Sequence, residues 1–526
     1  MQMIDPALIA WCAPVAYLLA AVYSAPGPVV GRAWFVAEAA AGAAFLAIAA
    51  AGGLAAWQFA AAGQPGDVAG LVVAALITTL GWIIIRFSAR YLNGEPRQRT
   101  YIAALSFTLA AVVVVVLTQH LGVMVLAWMA SSLGLHRLLT FYGARPGARA
   151  AAHKKFIASR AAELCLLAAL VLVYRETGTL YLDGISAHVA AAGTMPAGLY
   201  AAAFFVAVAV ILKTAQLPVH GWIIQVMEAP TPVSALLHAG VVNLGGFVLI
   251  RMAMLLEGAP AVQGLLVAVG GLTALLAGLV MMTQVSIKVR LAWSTIAQMG
   301  FMIMECGLGL YELAFLHLIA HSLYKAHAFL TAGEAVLETR RGALAGGRAD
   351  GSGALGLFAR LAAAPAAVAL VWLSQSAWNV AAPGTGLPWA VTLIVGLGLA
   401  PLLWGRRHIS MGSMMYGALT VLFVAQIYLA VHGMFGYLVQ PAAETSPWLF
   451  AWAAACLLML YTVQSWIEAF PRGALSTWLH PWAYAGFHLD DYFTRLSFRL
   501  WPTRIREKPA ATPGTPTDGA LARRAA

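Results

Sequence analysis

Long apolar runs separated by short polar loops account for most of this chain. A helix needs about 20 apolar residues to cross the hydrocarbon core of a bilayer. The pattern therefore predicts an all-α integral membrane protein with about 14–15 transmembrane helices. The segments are 7–23, 33–52, 68–85, 101–118, 121–140, 156–174, 197–216, 231–254, 261–282, 289–308, 311–333, 354–373, 388–404, 412–434 and 447–469.

Basic residues are concentrated in the loops that follow the odd-numbered segments, whereas the loops after even-numbered segments are neutral or mildly acidic. Loops rich in lysine and arginine stay on the cytoplasmic side of a membrane. The N-terminus is therefore expected outside and the C-terminus inside. The basic residues are Arg86, Arg90, Arg97, Arg99, Arg145, Arg149, Lys154, Lys155, Lys288, Arg290, Arg340, Arg341, Arg348, Arg406, Arg407, Arg504, Arg506 and Lys508.

Two segments depart from this regular pattern. Pro218 lies inside the run KTAQLPVHGWIIQVME, and proline removes one backbone hydrogen bond of a helix, so an interrupted helix is predicted there. Interrupted helices at membrane depth occur where they line a polar cavity. Residues 478–503 are aromatic and amphipathic but too polar to span, and the remaining end of the chain has a disordered composition.

Composition supports the membrane prediction and excludes several functions. The 526 residues are 62% hydrophobic and 10% charged, too few charges for a water-facing surface. The net charge of +11 is spread over short loops, which argues against nucleic-acid binding. The N-terminus lacks a basic signal-peptide region and is predicted to be a retained first helix. The four cysteines have neither metal nor redox spacing: Cys12, Cys165, Cys306 and Cys456.

Charged side chains inside apolar segments are costly and therefore candidates for function. Lys213 lies five residues before Pro218, where an amine can take up and release a proton beside a broken helix. A lysine that reaches up to the membrane interface is the alternative. Glu163, with Arg160 one turn earlier, is the first candidate for its counter-charge, and Glu228 is the second.

A polar stripe is predicted in the segment FLHLIAHSLYKAHAFL. His317, His321 and Lys325 recur every four residues and thus share one helical face. Imidazole accepts and donates protons near neutral pH, so the stripe is a candidate proton path; separate core hydrogen bonds are the alternative. His238 is either a packing residue or a fourth member, and Lys288 is either a pathway residue or a cytoplasmic anchor. No Walker, dinucleotide-binding, catalytic-triad or metal-ligand motif is present, so no cofactor is expected on this chain.

Two long segments resemble the proton-conducting membrane subunits of respiratory complex I and Mrp antiporters. They are KTAQLPVHGWIIQVMEAPTPVSALLHAGVVNLGGFVLIR and SIKVRLAWSTIAQMGFM with the FLHLIAHSLYKAHAFLTAG that follows it, and the similarity extends over about residues 70–335. The resemblance implies an antiporter-like fold with two inverted five-helix repeats and an interrupted helix at Pro218. The expected divisions are 1–100, 101–254, 261–404, 412–469 and a cytoplasmic tail at 470–526.

The resemblance also implies roles for individual residues. Lys213 matches the central lysine of these subunits, His238 the lysine or histidine of the next helix, and the polar stripe the connecting helix. Two positions depart from the family pattern. Met129 stands where the family has a fifth-helix glutamate, and no lysine is found around the twelfth-helix sequence FARLAAAPAAVALVWL.

The phrases LGLHRLLTFY and GFHLDDYFTRLSFRLWP are similar to the DabB branch, the membrane subunits of two-component inorganic carbon accumulation systems. That resemblance implies a cation-conducting transporter subunit in a bacterial inner membrane, with the ion H+ or Na+. It implies a cytoplasm-facing partner, a DabA-type zinc protein similar to β-carbonic anhydrases, which would hold the zinc and perform the chemistry. Asp490, Asp491, Tyr492 and Phe493 are the expected partner-binding residues. A complex I or Mrp subunit, and a non-conducting membrane anchor, are the alternatives.

The basic loops give a testable topology. Lys154, Arg341 and Arg504 are expected in the cytoplasm and residues 374–388 outside. In a chain without native cysteines, a membrane-impermeant thiol reagent added to intact cells should label a single cysteine within 374–388 and spare one at 341. Labelling of 341 alone would reverse the predicted orientation.

Overall fold

The computed structural model describes residues 5–25, 29–62, 67–334, 353–381, 389–404, 411–435 and 446–502. These residues are almost entirely helical, and strand-like pairing among them is limited to one isolated bridge between His120 and Tyr181. The basic residues 340–348, 406–407 and 504–508 and the expected disordered end lie outside the described residues.

Fifteen helical segments in the described residues follow the order of the predicted ones. Eleven of them are long and apolar enough to cross a membrane. Of the other four, α7 and α13 are apolar but shorter, and α10 and α11 contain several polar residues. The prediction of an all-α membrane protein is therefore confirmed, with eleven of the fifteen predicted segments long and apolar enough to cross a membrane. The segments are α1 Pro6–Ser24, α2 Val30–Ala62, α3 Val68–Tyr91, α4 Gln98–Leu117, α5 Leu121–Leu139, α6 Pro146–Thr177, α7 Ala197–Lys213, α8 Thr231–Arg251, α9 Pro260–Met281, α10 Ile287–Gly307, α11 Tyr311–Leu330, α12 Ala354–Ala381, α13 Val391–Leu403, α14 Met411–Phe435 and α15 Pro447–Ala469.

Helix α8 lies at the centre of the bundle. In its most apolar 18-residue window 89% of the residues are buried, against 22% in α2, α14 and α15. One continuous hydrophobic core runs from α1 to α11, while α12 to α15 contribute smaller clusters. Since the outer helices keep large apolar side chains exposed, such as Phe35, Phe423 and Trp448, the bundle presents an apolar surface suited to lipid.

Two predicted loops are in fact helix, which corrects the sequence reading. Helix α6 begins at Pro146 rather than at 156, because an alanine-rich stretch after a proline at the first helical position favours an early start. Lys154 and Lys155 are therefore buried helical residues rather than exposed loop residues. Helix α12 continues to Ala381 instead of ending at 373, and residues 382–388 lie outside the described residues.

The interruption predicted at Pro218 is present. Helix α7 ends at Lys213 and resumes as the short helix Gly221–Gln225, with a cis peptide bond between Leu217 and Pro218. In the gap the backbone N–H of Leu217 donates to Oγ1 of Thr273 on α9, 3.3 Å away, which satisfies one group that the helix has released. Helix α8 is interrupted as well, by a non-helical Gly240 and a 3-10 turn at Val241–Asn243.

The described part of the chain ends in two short helices, α16 (Ala474–Tyr484) and α17 (Asp491–Leu500), which pack on the side of the bundle where α6 and α10 begin. The amide of Gln284, in the loop before α10, donates to the carbonyl oxygen of Tyr484 at 3.3 Å. The start of α6 is joined to α17 through Lys154 and Asp490. These contacts place the described C-terminal segment on the same side as the basic loops.

Helices α9 and α10 approach each other through two glycines. A Cβ on Gly300 would lie 2.7 Å from the carbonyl oxygen of Gly270 and from the backbone nitrogen of Ala274. Because backbone atoms cannot move aside as a flexible side chain can, only glycine fits at this crossing. The close approach fixes α10 against α9.

We predict that Gly300→Ala destabilises the folded bundle by about 1–3 kcal/mol, since the added methyl group forces the two backbones apart. The thermal midpoint of the detergent-solubilised protein should fall. Gly264→Ala on α9 is the matched control, because a Cβ there would meet only Leu449 at an ordinary 3.8 Å. Equal midpoints for the two variants would contradict the close crossing.

Candidate functional site

Lys213 is the last residue of the first half of α7, immediately before the interruption. Its side chain is 6% exposed, and its ammonium nitrogen lies 3.5 Å from Oε1 of Glu163 on α6. The ammonium also donates to the carbonyl oxygen of Trp128 at 3.4 Å and lies 4.6 Å from the centre of the Trp128 ring. Lys213 thus has a carboxylate, a carbonyl dipole and an aromatic face as partners inside the bundle.

Glu163 is the carboxylate nearest to Lys213, as expected. Its side chain is 4% exposed, and its Oε1 also accepts a hydrogen bond from Arg160, one turn earlier, at 2.7 Å. The fifth helix, which carries Met129 where the family has glutamate, instead supplies the neighbouring Trp128. The distance meets the expectation for a counter-charge, while a role of Glu163 in ion movement remains a prediction.

Lys155 was not among the predicted site residues, yet it shares a cavity with Lys213. Its ammonium donates to the backbone oxygen and to Oγ of Ser132, at 2.8 and 2.6 Å. The cavity has a volume of about 20 Å³, enough to hold one water molecule. A water there would connect two buried amines through the serines that also line the cavity, Ser131, Ser132 and Ser159.

The predicted stripe lies on the buried side of α11. His321 and Lys325 are 5% and 1% exposed, and the rings of His317 and His321 have centroids 6.0 Å apart. The Lys325 ammonium donates to Oγ of Ser294 and to the carbonyl oxygen of Leu291, 3.3 Å away on α10. Three titratable groups therefore follow one another along a single enclosed face.

His238 on α8 belongs to the same neighbourhood. Its ring stacks on Phe329 of α11 with centroids 4.4 Å apart, and it is close enough to His321 and Lys325 to interact electrostatically. Both of its ring nitrogens are buried without a hydrogen-bond partner among the described residues. The sequence left a packing role open for His238, and the stacking on Phe329 is compatible with both readings.

Two predicted pathway residues lie apart from this buried group. Glu228 is 49% exposed and faces Arg145 at 3.7 Å, so it does not serve as the buried counter-charge of Lys213. Lys288, near the start of α10, donates to Oγ1 of Thr231 at 2.7 Å, where α8 begins. Its position at the basic end of two helices fits the anchor that the sequence offered as an alternative.

Most of the helices that hold these buried groups match one protein family. Residues 118–400 match the model described as "NADH:quinone oxidoreductase/Mrp antiporter, TM". The match covers more than half of the chain and includes α5 to α11. The chain belongs to this antiporter family.

Within the family, inorganic carbon transporter subunits are similar over most of the chain. "Probable inorganic carbon transporter subunit DabB" of Hydrogenovibrio crunogenus is 40% identical over 446 residues, 84% of this chain and 84% of that protein. DabB2 of Halothiobacillus neapolitanus is 37% identical, covering 84% and 80%. NADH-quinone oxidoreductase subunit L of Escherichia coli is 34% identical over 52% of this chain and 44% of its own length.

Solved structures of antiporter-family complexes have the same fold. The Mrp complex from Dietzia superposes with a TM-score of 0.54 at 24% identity, over 94% of this chain and 52% of that one. The archaeal membrane-bound sulfane sulfur reductase superposes with a TM-score of 0.55 at 16% identity, over 94% and 99%. The expected antiporter-like architecture is therefore confirmed; the finer division into repeats stays a prediction.

Of the buried titratable residues that the sequence did not predict, two adjoin predicted site residues, Lys155 beside Lys213 and Glu305 beside His317. Lys155 was read as part of a basic loop, and only the early start of α6 places it inside. Glu305 is a lone carboxylate near the end of α10, without a basic neighbour in sequence, and its partner His317 is on the next helix. A glutamate inside the apolar run FMIMECGLGLYELAFL was a signal that could have identified it.

The predicted partner-binding residues divide into two pairs. The Asp490 carboxylate accepts from Lys154 at 2.6 Å and from the backbone N–H of Gly221 at 3.1 Å, where α7 resumes. Phe493 is partly buried and packs against the main core. Asp491 is about half exposed and Tyr492 is 86% exposed. Only Asp491 and Tyr492 are thus free to meet another molecule, and partner binding itself stays a prediction.

Asp490 should contribute more to stability than its neighbour. Lys154 is 1% exposed, so Asp490→Ala leaves a buried ammonium without its carboxylate and should cost about 3 kcal/mol. Asp491→Ala removes an ion pair with His488, and both of those side chains are more than half exposed. The free energy of unfolding should therefore hardly change. Thermal unfolding of both purified variants tests the difference; equal loss would show that Asp490 is not specially required.

Proposed function

We propose that this chain is the proton-conducting membrane subunit of an inorganic carbon accumulation complex in a bacterial inner membrane. The observation that carries the proposal is the pair of enclosed groups of titratable side chains in the bundle, namely Lys213 with Glu163 on α7 and α6, and His238 with the stripe on α8 and α11. Buried ionisable residues inside a membrane bundle mark ion paths far more often than they serve packing. The similarity to a DabB inorganic carbon transporter subunit over 84% of the chain supports inorganic carbon as the transported substrate.

The chemistry of the buried groups favours H+ over Na+. Na+ is a hard cation that prefers several oxygen ligands, by analogy with the oxygen sites of other hard cations. The α11 stripe and its neighbour on α8 instead offer imidazole and amine nitrogens, at His317, His321, Lys325 and His238. Nitrogen groups that exchange protons, and a lysine that repels metal cations, suit proton transfer.

A partner protein would use the flow of protons. We propose that a DabA-type zinc protein similar to β-carbonic anhydrases binds on the cytoplasmic side, where the described C-terminal helices α16 and α17 lie. Hydration of CO2 on that partner would be driven in one direction by protons moving inward through this chain, with bicarbonate retained in the cytoplasm. Of the four predicted contact residues, Tyr492 and Asp491 are the exposed ones on α17 and are available for such a contact.

The complex I alternative has narrower support. The Escherichia coli subunit L aligns with 52% of this chain, whereas the DabB protein of Hydrogenovibrio crunogenus aligns with 84%. The additional similarity covers segments outside the shared antiporter core. The length of the aligned region therefore favours the carbon-transport assignment.

Lys213→Met and His321→Ala should each lower inorganic carbon uptake at least 10-fold. Lys213→Met keeps chain length and apolar bulk but deletes the proton-exchanging amine, and His321→Ala removes the middle of the stripe. Both variants should insert normally, because each removes a costly polar group from the membrane interior. Uptake of labelled inorganic carbon, and growth in ambient air, measure the effect in cells that also produce the partner.

His327→Ala is the matched control, since His327 lies on the same helix α11 as the stripe but is exposed. It should retain full uptake. If Lys213→Met and His321→Ala are produced at normal levels, bind the partner and transport at the parental rate, the chain does not conduct and the membrane-anchor alternative replaces this proposal.

A further inference from the structure

Glu305 is the most deeply buried carboxylate that the proposed function has not yet used. It lies on α10 and is 0% exposed, and its Oε2 lies 2.8 Å from Nδ1 of His317, the first member of the α11 stripe. Among the described residues, no lysine or arginine pairs with Glu305. Its hydrogen-bonding partner is thus a group that can itself carry or release a proton.

Buried polar atoms without a protein partner continue from Glu305 along the stripe. Polar atoms enclosed in a protein are nearly always hydrogen-bonded, and water fills the place where no protein group is available. Four such atoms follow one another from Glu305 along the stripe on α10 and α11 without a partner in the described part of the chain, and His238 on α8 adds two more. The α10 and α11 atoms are Glu305 Oε1, His317 Nε2, His321 Nδ1 and Nε2, to which His238 adds two ring nitrogens.

Helix geometry places Glu305 at the end of the stripe that faces away from the basic loops. Helix α10 begins at Ile287 on the basic side and ends at Gly307, only two residues beyond Glu305, which is about 3 Å along the axis. Lys325 lies five residues from the opposite end of α11, about 8 Å from the basic side. His317 and Lys325 are eight residues apart, about 12 Å along α11, so with Glu305 the set extends over about half of the membrane thickness.

A second carboxylate–imidazole contact lies beyond Glu305. Glu312, in the first turn of α11, pairs with Nδ1 of His432 on α14, and both side chains are 20% exposed. Tyr428 of α14 stacks on the His432 ring and is close enough to Glu312 and Glu305 to interact with both electrostatically. Tyr311 is the further titratable group at the start of α11, near Cys306. Partly exposed polar groups thus adjoin Glu305 from the side opposite the basic loops.

We infer that Glu305 is the proton-binding residue through which protons enter the α11 stripe from the side opposite the basic loops; this inference rests on the proposed function. A proton from that side protonates the Glu305 carboxylate. The O–H bond then breaks while an Nδ1–H bond forms on His317, which leaves a carboxylate and an imidazolium. The imidazolium releases its Nε2 proton toward His321, through water or directly, and His317 becomes neutral again. His317 now carries its proton on Nδ1, so its ring must turn over to present an unprotonated nitrogen to Glu305 before the next proton can pass.

The test uses the full chain reconstituted in liposomes, with an inward proton flow driven by a potassium diffusion potential and followed with a pH-sensitive dye inside. Glu305→Gln keeps the size and a hydrogen bond to His317 but cannot carry a proton, and should lower the flux at least 10-fold. Glu305→Asp keeps the carboxyl group and should recover a substantial part of the flux. Glu38 lies on α2 beside Arg86 and is 43% exposed, so Glu38→Gln makes the same chemical change away from the stripe and should conduct like the parent.

Infrared difference spectra between acidic and alkaline buffer separate proton binding from a structural role. The parent should show a carboxylic acid band that is lost in Glu305→Gln and kept in Glu38→Gln. If Glu305→Gln conducts at the parental rate while Lys213→Met does not conduct, the role of Glu305 is overturned and the proposed function stands. Absence of proton flux in the parent overturns the proposed function. An unchanged carboxylic acid band in Glu305→Gln, whatever its flux, shows that Glu305 does not bind the transported proton.

Discussion

A buried ammonium group must be compensated by charge or hydrogen bonds within reach, and the organisation of this bundle follows from that constraint. Lys213 meets it with Glu163 at 3.5 Å and with the carbonyl oxygen and ring of Trp128. The partners lie on α6 and α5, so the lysine can stand at the end of a broken helix only because three helices converge on it. The break in α7 therefore depends on the packing of α5 and α6 against it, because those helices carry the partners of Lys213.

The compensation is incomplete, and this has a functional meaning. Arg160 and Lys213 contact Glu163, and Lys155 is close enough to interact with it electrostatically, so three basic groups adjoin one carboxylate. The number of protons held by such a cluster depends on all of its members together and responds to small changes in its surroundings. A rigid ion pair would hold its protons fixed. A cluster with surplus basic groups and room for a water can instead exchange them.

The sequence predicted the fold well because apolar periodicity is a local property. Segment lengths, basic loops and Pro218 identified the helices, the interruption and the central lysine, and the i, i+4 spacing placed His317, His321 and Lys325 on one face. Contacts between helices are not local, and most of the omissions arose there. Glu305 becomes meaningful only when α10 and α11 are packed together. Lys155 was missed because a helix start can differ by several residues when small and charged residues mix, as in GARAAAHKK.

The contacts of Asp490 also order events during synthesis of the protein. Its partners Lys154 and Gly221 precede it by 336 and 269 residues. A Cβ at Gly221 would overlap the Asp490 carboxylate, so the glycine leaves the space that the carboxylate occupies. While the ribosome is still translating α8 to α15, the resumed half of α7 has no such cap and Lys154 has no carboxylate. The cap on the resumed half of α7 and the counter-charge of Lys154 are therefore added last, after the helices around them have been made.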